Sequence, residues 1–149
     1  MKYKLTDETK IVFDRTLHKI VCVTAFANVA AGEAGGWIES ERNLNQYGDA
    51  WVYGNAKVFG NAKVFGDARV YGDAEVCGNA DYIVLKNNWS SSRYFTYTLS
   101  NKKWKVGCFY GTSEELIKKA YEDSELSGKC YEASVKYVET LLNIKREVK

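Results

Sequence analysis

Tyr47–Tyr82 reads YGDAWV YGNAKV FGNAKV FGDARV YGDAEV CGNADY, six consecutive hexads in a chain of 149 residues. Glycine recurs at Gly48, Gly54, Gly60, Gly66, Gly72 and Gly78, and alanine follows two positions later in every unit. Valine holds a third column at Val52, Val58, Val64, Val70 and Val76, with Tyr82 in the last such place. A fixed period of this kind is the signature of a stacked repeat. In an extended segment such as Ala56-Lys57-Val58-Phe59 side chains alternate, so Ala and Val face one way and Lys and Phe the other. Gly followed by Asn or Asp supplies the positive-φ tolerance that a tight corner needs. Segments this short leave few residues for antiparallel ladders. The pattern therefore predicts a solenoid, with valine and alanine inside.

The hexads resemble those of the hexapeptide-repeat, left-handed parallel β-helix family, and the YGNAKV wording is similar to YdcK-type repeats of bacterial and phage proteins. Gly35–Gln46 (GGWIESERNLNQ) resembles the lead-in to such repeats. The resemblance implies three sides and eighteen residues per turn, so the six units make two turns. Trp51 and Tyr53 are then expected beside Arg69 and Tyr71, Lys57 and Phe59 beside Glu75 and Cys77, and Lys63 and Phe65 beside Asp81 and Ile83. Two turns bury too little apolar surface to offset their ordering entropy. The outward rings of Tyr53, Phe59, Phe65 and Tyr71 should accordingly be covered, by the terminal segments or by a second subunit.

Three regions follow: an N-terminal hairpin cap and irregular first coil (1–36), the repeat (37–85) and a C-terminal unit (86–149). The fold class is mainly β with a C-terminal α+β part. In the first region Lys10–Phe13 and Leu17–Val23 are rich in strand formers, with a turn expected at Asp14-Arg15. A cap suits the open end of a stacked fold. In the last, Arg93–Leu99 and Lys103–Phe109 flank Ser100-Asn101-Lys102 as a hairpin. Thr112-Ser-Glu-Glu115 is a capping box opening a helix with Leu116, Ile117, Ala120 and Tyr121 on one side. Ser127-Gly128 should break the chain before a second helix from about Lys129, striped by Tyr131, Val135, Val138 and Leu142. This ββαα unit resembles the tail of phage-like proteins that carry YGNA repeats.

With 21 Lys+Arg against 19 Asp+Glu, the net charge of +2 gives no general reason to expect nucleic acid or an anionic membrane as partner. At 46% hydrophobic the chain is not a disordered one. MKYKLTDETK has no apolar signal core and no apolar run is long enough to span a bilayer, so a cytoplasmic protein is expected. Cys22, Cys77, Cys108 and Cys130 are scattered without a CxxC pair and read as free thiols; no metal or cofactor is expected.

Acyltransferases of the resembled family use a histidine base on the helix, and its carbonic anhydrases need three histidines on one zinc. Here His18 is the one histidine, and it lies ahead of the repeat. Asp49, Asp67 and Asp73 read as corner residues, Cys108 as a buried thiol and Ser90–Arg93 as a polar loop. Lys102, Lys103 and Lys105 beside Trp104 read as a solvated strand face. No catalytic residue is assigned. Binding or interface candidates are Trp51, Tyr53, Phe59, Phe65, Arg69 and Tyr71 on the coil, and Arg93, Lys103, Trp104 and Lys105 after it. The expected function is a non-catalytic binding or assembly protein, a homo-oligomer (dimer or trimer) engaging a host protein or a small-molecule ligand. From the phage-like resemblance follows a host-directed task such as blocking a defence system. The alternatives are a small acyltransferase using acyl-CoA with His18 as base, and a structural virion or surface component.

Overall fold

Val52, Val58, Val64, Val70 and Val76 are all fully buried in the computed structural model, which describes residues 1–148. The chain runs through strands β1 (Tyr3–Val12), β2 (Arg15–Cys22), β3 (Ala34–Ile38), β4 (Trp51–Val52), β5 (Lys57–Val58), β6 (Arg69–Val70) and β7 (Glu75–Val76). Then come β8 (Tyr82–Lys86), β9 (Tyr94–Thr98), β10 (Lys103–Val106), β11 (Phe109–Gly111), and helices α1 (Ser113–Asp123) and α2 (Glu125–Glu147). Residues eighteen apart pair in parallel: Val52 with Val70 across β4–β6, and Val58 with Val76 across β5–β7. Gly48, Gly54, Gly60, Gly66 and Gly72 turn the corners at φ between 53° and 81°. Ala50, Ala56, Ala62, Ala68 and Ala74 are buried behind them.

The winding starts before the hexads. Ile38 and Leu44, both fully buried, sit opposite Val58 and Val64, twenty positions ahead. Asn43 is buried at the intervening corner with its amide satisfied on both sides. Its Oδ1 accepts from the N–H groups of Glu39 and Ser40, and its Nδ2 donates to the carbonyls of Gly60 and Ala62. The winding also ends early. Gly78 has an extended φ of −149°, Ala80 is exposed, and Asn79–Asp81 form a 3-10 turn. The Asp81 carboxylate accepts from the N–H groups of Cys77 and Gly78, each at 2.9 Å, and pulls the chain out of the repeat. Tyr82 then pairs with Thr98, so Ile83 packs with the C-terminal core and not beside Phe65.

These sheets correct the likeness to YdcK-type left-handed parallel β-helix proteins with a phage-like ββαα tail. The largest sheet is mixed: its order is β1-β2-β3-β5-β7, antiparallel from β1 to β3 and parallel from β3 to β7. The tail is a four-stranded antiparallel sheet, β11-β10-β9-β8, followed by the helices.

Both ends of the coil are covered, for reasons local to each. The β1–β2 turn falls at Phe13-Asp14 (φ 50° and 62°), one residue before the expected place, since a two-residue hairpin needs two left-handed residues and Arg15 pairs with Val12. Arg15 meets Glu39 at 2.8 Å, and Phe13 leans on Phe59 with ring centroids 6.0 Å apart. Tyr3 is buried, its hydroxyl donating to the Leu44 carbonyl at 2.5 Å. Lys2 donates to the Ala50 carbonyl at 2.8 Å, and burial holds its amine down to about 8. At the other end, side-chain hydroxyls of Thr96 and Ser100 accept from the backbone N–H groups of Arg69 and Glu75 (3.0 and 2.8 Å).

The capping box of α1 is present in both directions, between Thr112 and Glu115. The expected break at Ser127-Gly128 is corrected. Ser124 caps α2, which runs through Gly128 because the Tyr121 ring lies against it; a Cβ there would stand 2.2 Å from Tyr121 Cδ1. Tyr131, Val135 and Val138 of α2 pack with Phe95, Trp104 and Leu116 in the second core.

A Cβ on Gly36 would stand 2.7 Å from both the Ala56 carbonyl oxygen and Val52 Cγ1, whereas one on Gly66 meets nothing within 4 Å. Gly36→Ala should therefore lower stability by about 1–3 kcal/mol through overpacking. Gly66→Ala should cost about 1 kcal/mol, from its φ of 66° alone. Urea midpoints compare the two; equal losses would contradict the tight approach of β3 to the coil.

Candidate functional site

Arg69 lies outward on β6 because its neighbour Val70 faces in. Its Nη1 donates to Asn28 Oδ1 at 2.7 Å and to the Tyr53 hydroxyl, so the guanidinium is held in place by two neutral acceptors that leave its charge intact. Tyr53 and Tyr71, eighteen apart, stack with centroids 3.9 Å apart. Across from them β10 carries Lys105, whose Nζ lies 4.1 Å from the Tyr71 ring centroid, a cation–π contact. Arg93 and the Gly107-Cys108 turn complete a cleft of about 430 Å³ between the coil and the C-terminal sheet.

Cations dominate this cleft. Arg69, Arg93 and Lys105 form no ion pair among the described residues; the three ion pairs present lie elsewhere. Asp67 is the carboxylate in the lining. Burial, helped by the charge of Arg69, holds the Lys105 amine below the ordinary lysine range. Burial also pushes the phenols of Tyr53 and Tyr71 up, against an opposing pull from Arg69. The site thus offers fixed hydrogen-bond donors and protonated phenols, an arrangement suited to an anion.

Five of the ten candidates converge here: Tyr53, Arg69, Tyr71, Arg93 and Lys105. The others do not. Trp51 is fully buried beneath Tyr3 and Phe26, whose rings stand 6.2 and 5.3 Å away, so it serves the core and not a partner. Trp104 is fully buried too, its Nε1 donating to Ser113 Oγ at 2.9 Å. Strand alternation separates it from Lys103 and Lys105, and the basic-aromatic cluster of the sequence does not exist as one surface. Lys103 lies over Tyr110 instead. Phe59 is covered by the hairpin, while Phe65 stays about half exposed in an adjoining groove.

Sequence reasoning missed Asn28 and Tyr94 and read Asp67 as a corner residue. Tyr94 was legible from alternation with buried Phe95; Asn28 sits in an irregular loop and gave no signal. Cys108, expected to be buried near a helix start, is exposed in the β10–β11 turn. In the Ser90–Arg93 loop, the Ser90 N–H is turned to Asn87 Oδ1. His18 lies on β2 with Nδ1 at 3.1 Å from the Thr6 carbonyl, away from the cleft lining. Among the described residues no cluster of three or more His, Cys, Asp or Glu could hold a metal, and no helix is long and apolar enough to cross a membrane.

No protein-family model matches the chain, and no curated protein matches it.

The field of the cleft is open to measurement through its own thiol. A dianionic aromatic disulfide reagent should label Cys108 several-fold faster in the native chain than in an Arg93→Ala/Lys105→Ala variant, after normalisation to the rates with neutral iodoacetamide. Raising salt should erase the difference, since the attraction is long-range and screened. Equal normalised rates at low salt would deny the cleft its positive potential.

Proposed function

We propose that the chain is a non-catalytic binding protein that holds a small anion in the cleft between coil and C-terminal sheet. The observation that carries this reading is the convergence of Arg69, Arg93 and Lys105, none of them in an ion pair among the described residues, against the single carboxylate of Asp67. An unpaired cation cluster costs self-repulsion, which a bound anion relieves with charge-assisted hydrogen bonds. Rigidity supports the same reading: Arg69 is fixed by Asn28 and Tyr53, and Lys105 rests on Tyr71. The framework is proposed to be a short β-solenoid, a view supported by the eighteen-residue parallel register and the buried valine column.

A non-catalytic role is favoured over the acyltransferase because His18 is tied to Thr6 and does not line the cleft. A host-directed task rests on the tail's likeness to phage-like proteins, and the four-stranded tail sheet removes that support. A cytoplasmic location and self-association are further parts of the proposal. Exposed Ile11 and Phe13 and the free edge of β1 support the second.

Pyrophosphate is the probe. It should raise the melting temperature saturably, and Arg93→Ala should weaken its binding about ten-fold, as loss of one charged hydrogen bond does. No saturable shift, or an unchanged one in an Arg93→Ala/Lys105→Ala double variant, would remove the reading. Light scattering at tens of micromolar should give a dimer or trimer; a monomer would remove the self-association.

A further inference from the structure

The cationic cleft does not end at its cations. It shares Asp67 and Tyr94 with a second cavity of about 510 Å³, lined by Phe65, Asn79, Tyr82 and Val84. Phe65 and Tyr94 are 51% and 44% exposed there, two rings with open surface facing a groove. We infer that the ligand is a free nucleoside phosphate, its phosphates on Arg69, Arg93 and Lys105 and its base in the apolar groove. This rests on the anion-binding reading of the cleft.

Phe65, Asp67 and Arg69 carry the inference. The Ala68 N–H donates to the Phe65 carbonyl at 3.3 Å, so Gly66-Asp67 turns a corner, with the Phe65 ring on one side of it, the Arg69 cation on the other and the Asp67 carboxylate at the bend. The turn keeps their Cα atoms well inside the ~14 Å reach of four extended residues. A nucleotide has the matching order: a planar base, a sugar whose neighbouring hydroxyls donate, and a phosphate. Asp67 in the middle accepts from hydroxyls and repels any second anion there. A fatty acid has no donor for Asp67, and inorganic phosphate leaves both rings unused. Asn79 Oδ1 already accepts from the Lys63 N–H at 2.8 Å, so Nδ2 is what it can offer to a base edge. Cavities of this volume suit a small molecule, and a chain of net charge +2 has little general attraction for a polyanion.

Titration calorimetry with ADP, pyrophosphate, adenosine and a 5′-phosphorylated tetranucleotide tests this on the full chain. ADP should bind at least ten-fold tighter than pyrophosphate or adenosine. Phe65→Ala should weaken ADP about ten-fold, the scale of one lost base stack, while leaving pyrophosphate within two-fold. Phe65 is exposed on the coil, and an unchanged melting temperature of that variant verifies its fold. Asp67→Asn should weaken ADP but spare or strengthen pyrophosphate. If pyrophosphate binds as tightly as ADP and Phe65→Ala changes neither, the nucleotide inference is overturned and anion binding stands. If neither ligand binds, both fall. A tetranucleotide that binds ten-fold tighter than ADP overturns the free nucleotide in favour of a nucleic-acid end; one that binds no better supports it.

Discussion

Open ends are the constraint on which this molecule depends. The parallel pairings β4–β6 and β5–β7, with Val52, Val58, Val64, Val70 and Val76 in the core behind them, satisfy backbone groups only toward one another, and their outer edges leave N–H and C=O groups to be met elsewhere. Each end is closed differently. At the start, the β1–β2 hairpin extends one side as antiparallel strands, while Tyr3, Cys22 and Val29 join the core that the valines begin. Gln46 serves the same end, accepting from the Lys2 N–H and donating to the Tyr3 carbonyl. It does so from the two extra residues that make the first turn twenty long.

At the far end the cap is made of side chains. Thr96 and Ser100 accept from the last strands of the coil, Asn101 reaches Asp73 at 3.1 Å, and the Tyr110 hydroxyl sits against Gly72, where a Cβ would collide with it at 2.0 Å. These bonds place β9 and β10 across the coil. The cleft is a consequence: the same docking that satisfies Arg69 N–H sets Arg93 and Lys105 opposite the Arg69 side chain. Stability and site share their hydrogen bonds, so the cleft is as rigid as the cap.

Elsewhere charges sit in ion pairs, in solvent, over aromatic rings or, for buried Lys2, against backbone carbonyls. Arg15 pairs with Glu39, and α1 and α2 each carry an i,i+4 ion pair on an exposed face. Against that background three unpaired cations in one concavity break the local rule. Sites that break a rule without structural gain are where function is sought. Phe65 breaks another, as a half-exposed ring on a coil whose other Phe is covered.

Much of the frame was legible in order along the chain. The hexads announced the inward valines and the left-handed corners, because size and φ tolerance are local properties of Gly, Ala and Val; the eighteen-residue register was implied by the resemblance alone and is seen in the β4–β6 and β5–β7 pairings. Thr112 and Glu115 announced α1 for the same reason. Local signals misled where a distant ring or carboxylate decided. Gly128 reads as a breaker until Tyr121 packs on it, the sixth hexad reads as a side until Asp81 caps it, and Trp104 reads as surface until the helices cover it. The candidate site divided likewise: the sequence by itself determined that Tyr53, Arg69 and Tyr71 point outward, since each alternates with an inward Ala or Val, and the β4–β6 pairing stacks them on one face. Only the tertiary structure decided that Arg93 and Lys105 meet them, because that depends on which open N–H groups Thr96 and Ser100 find.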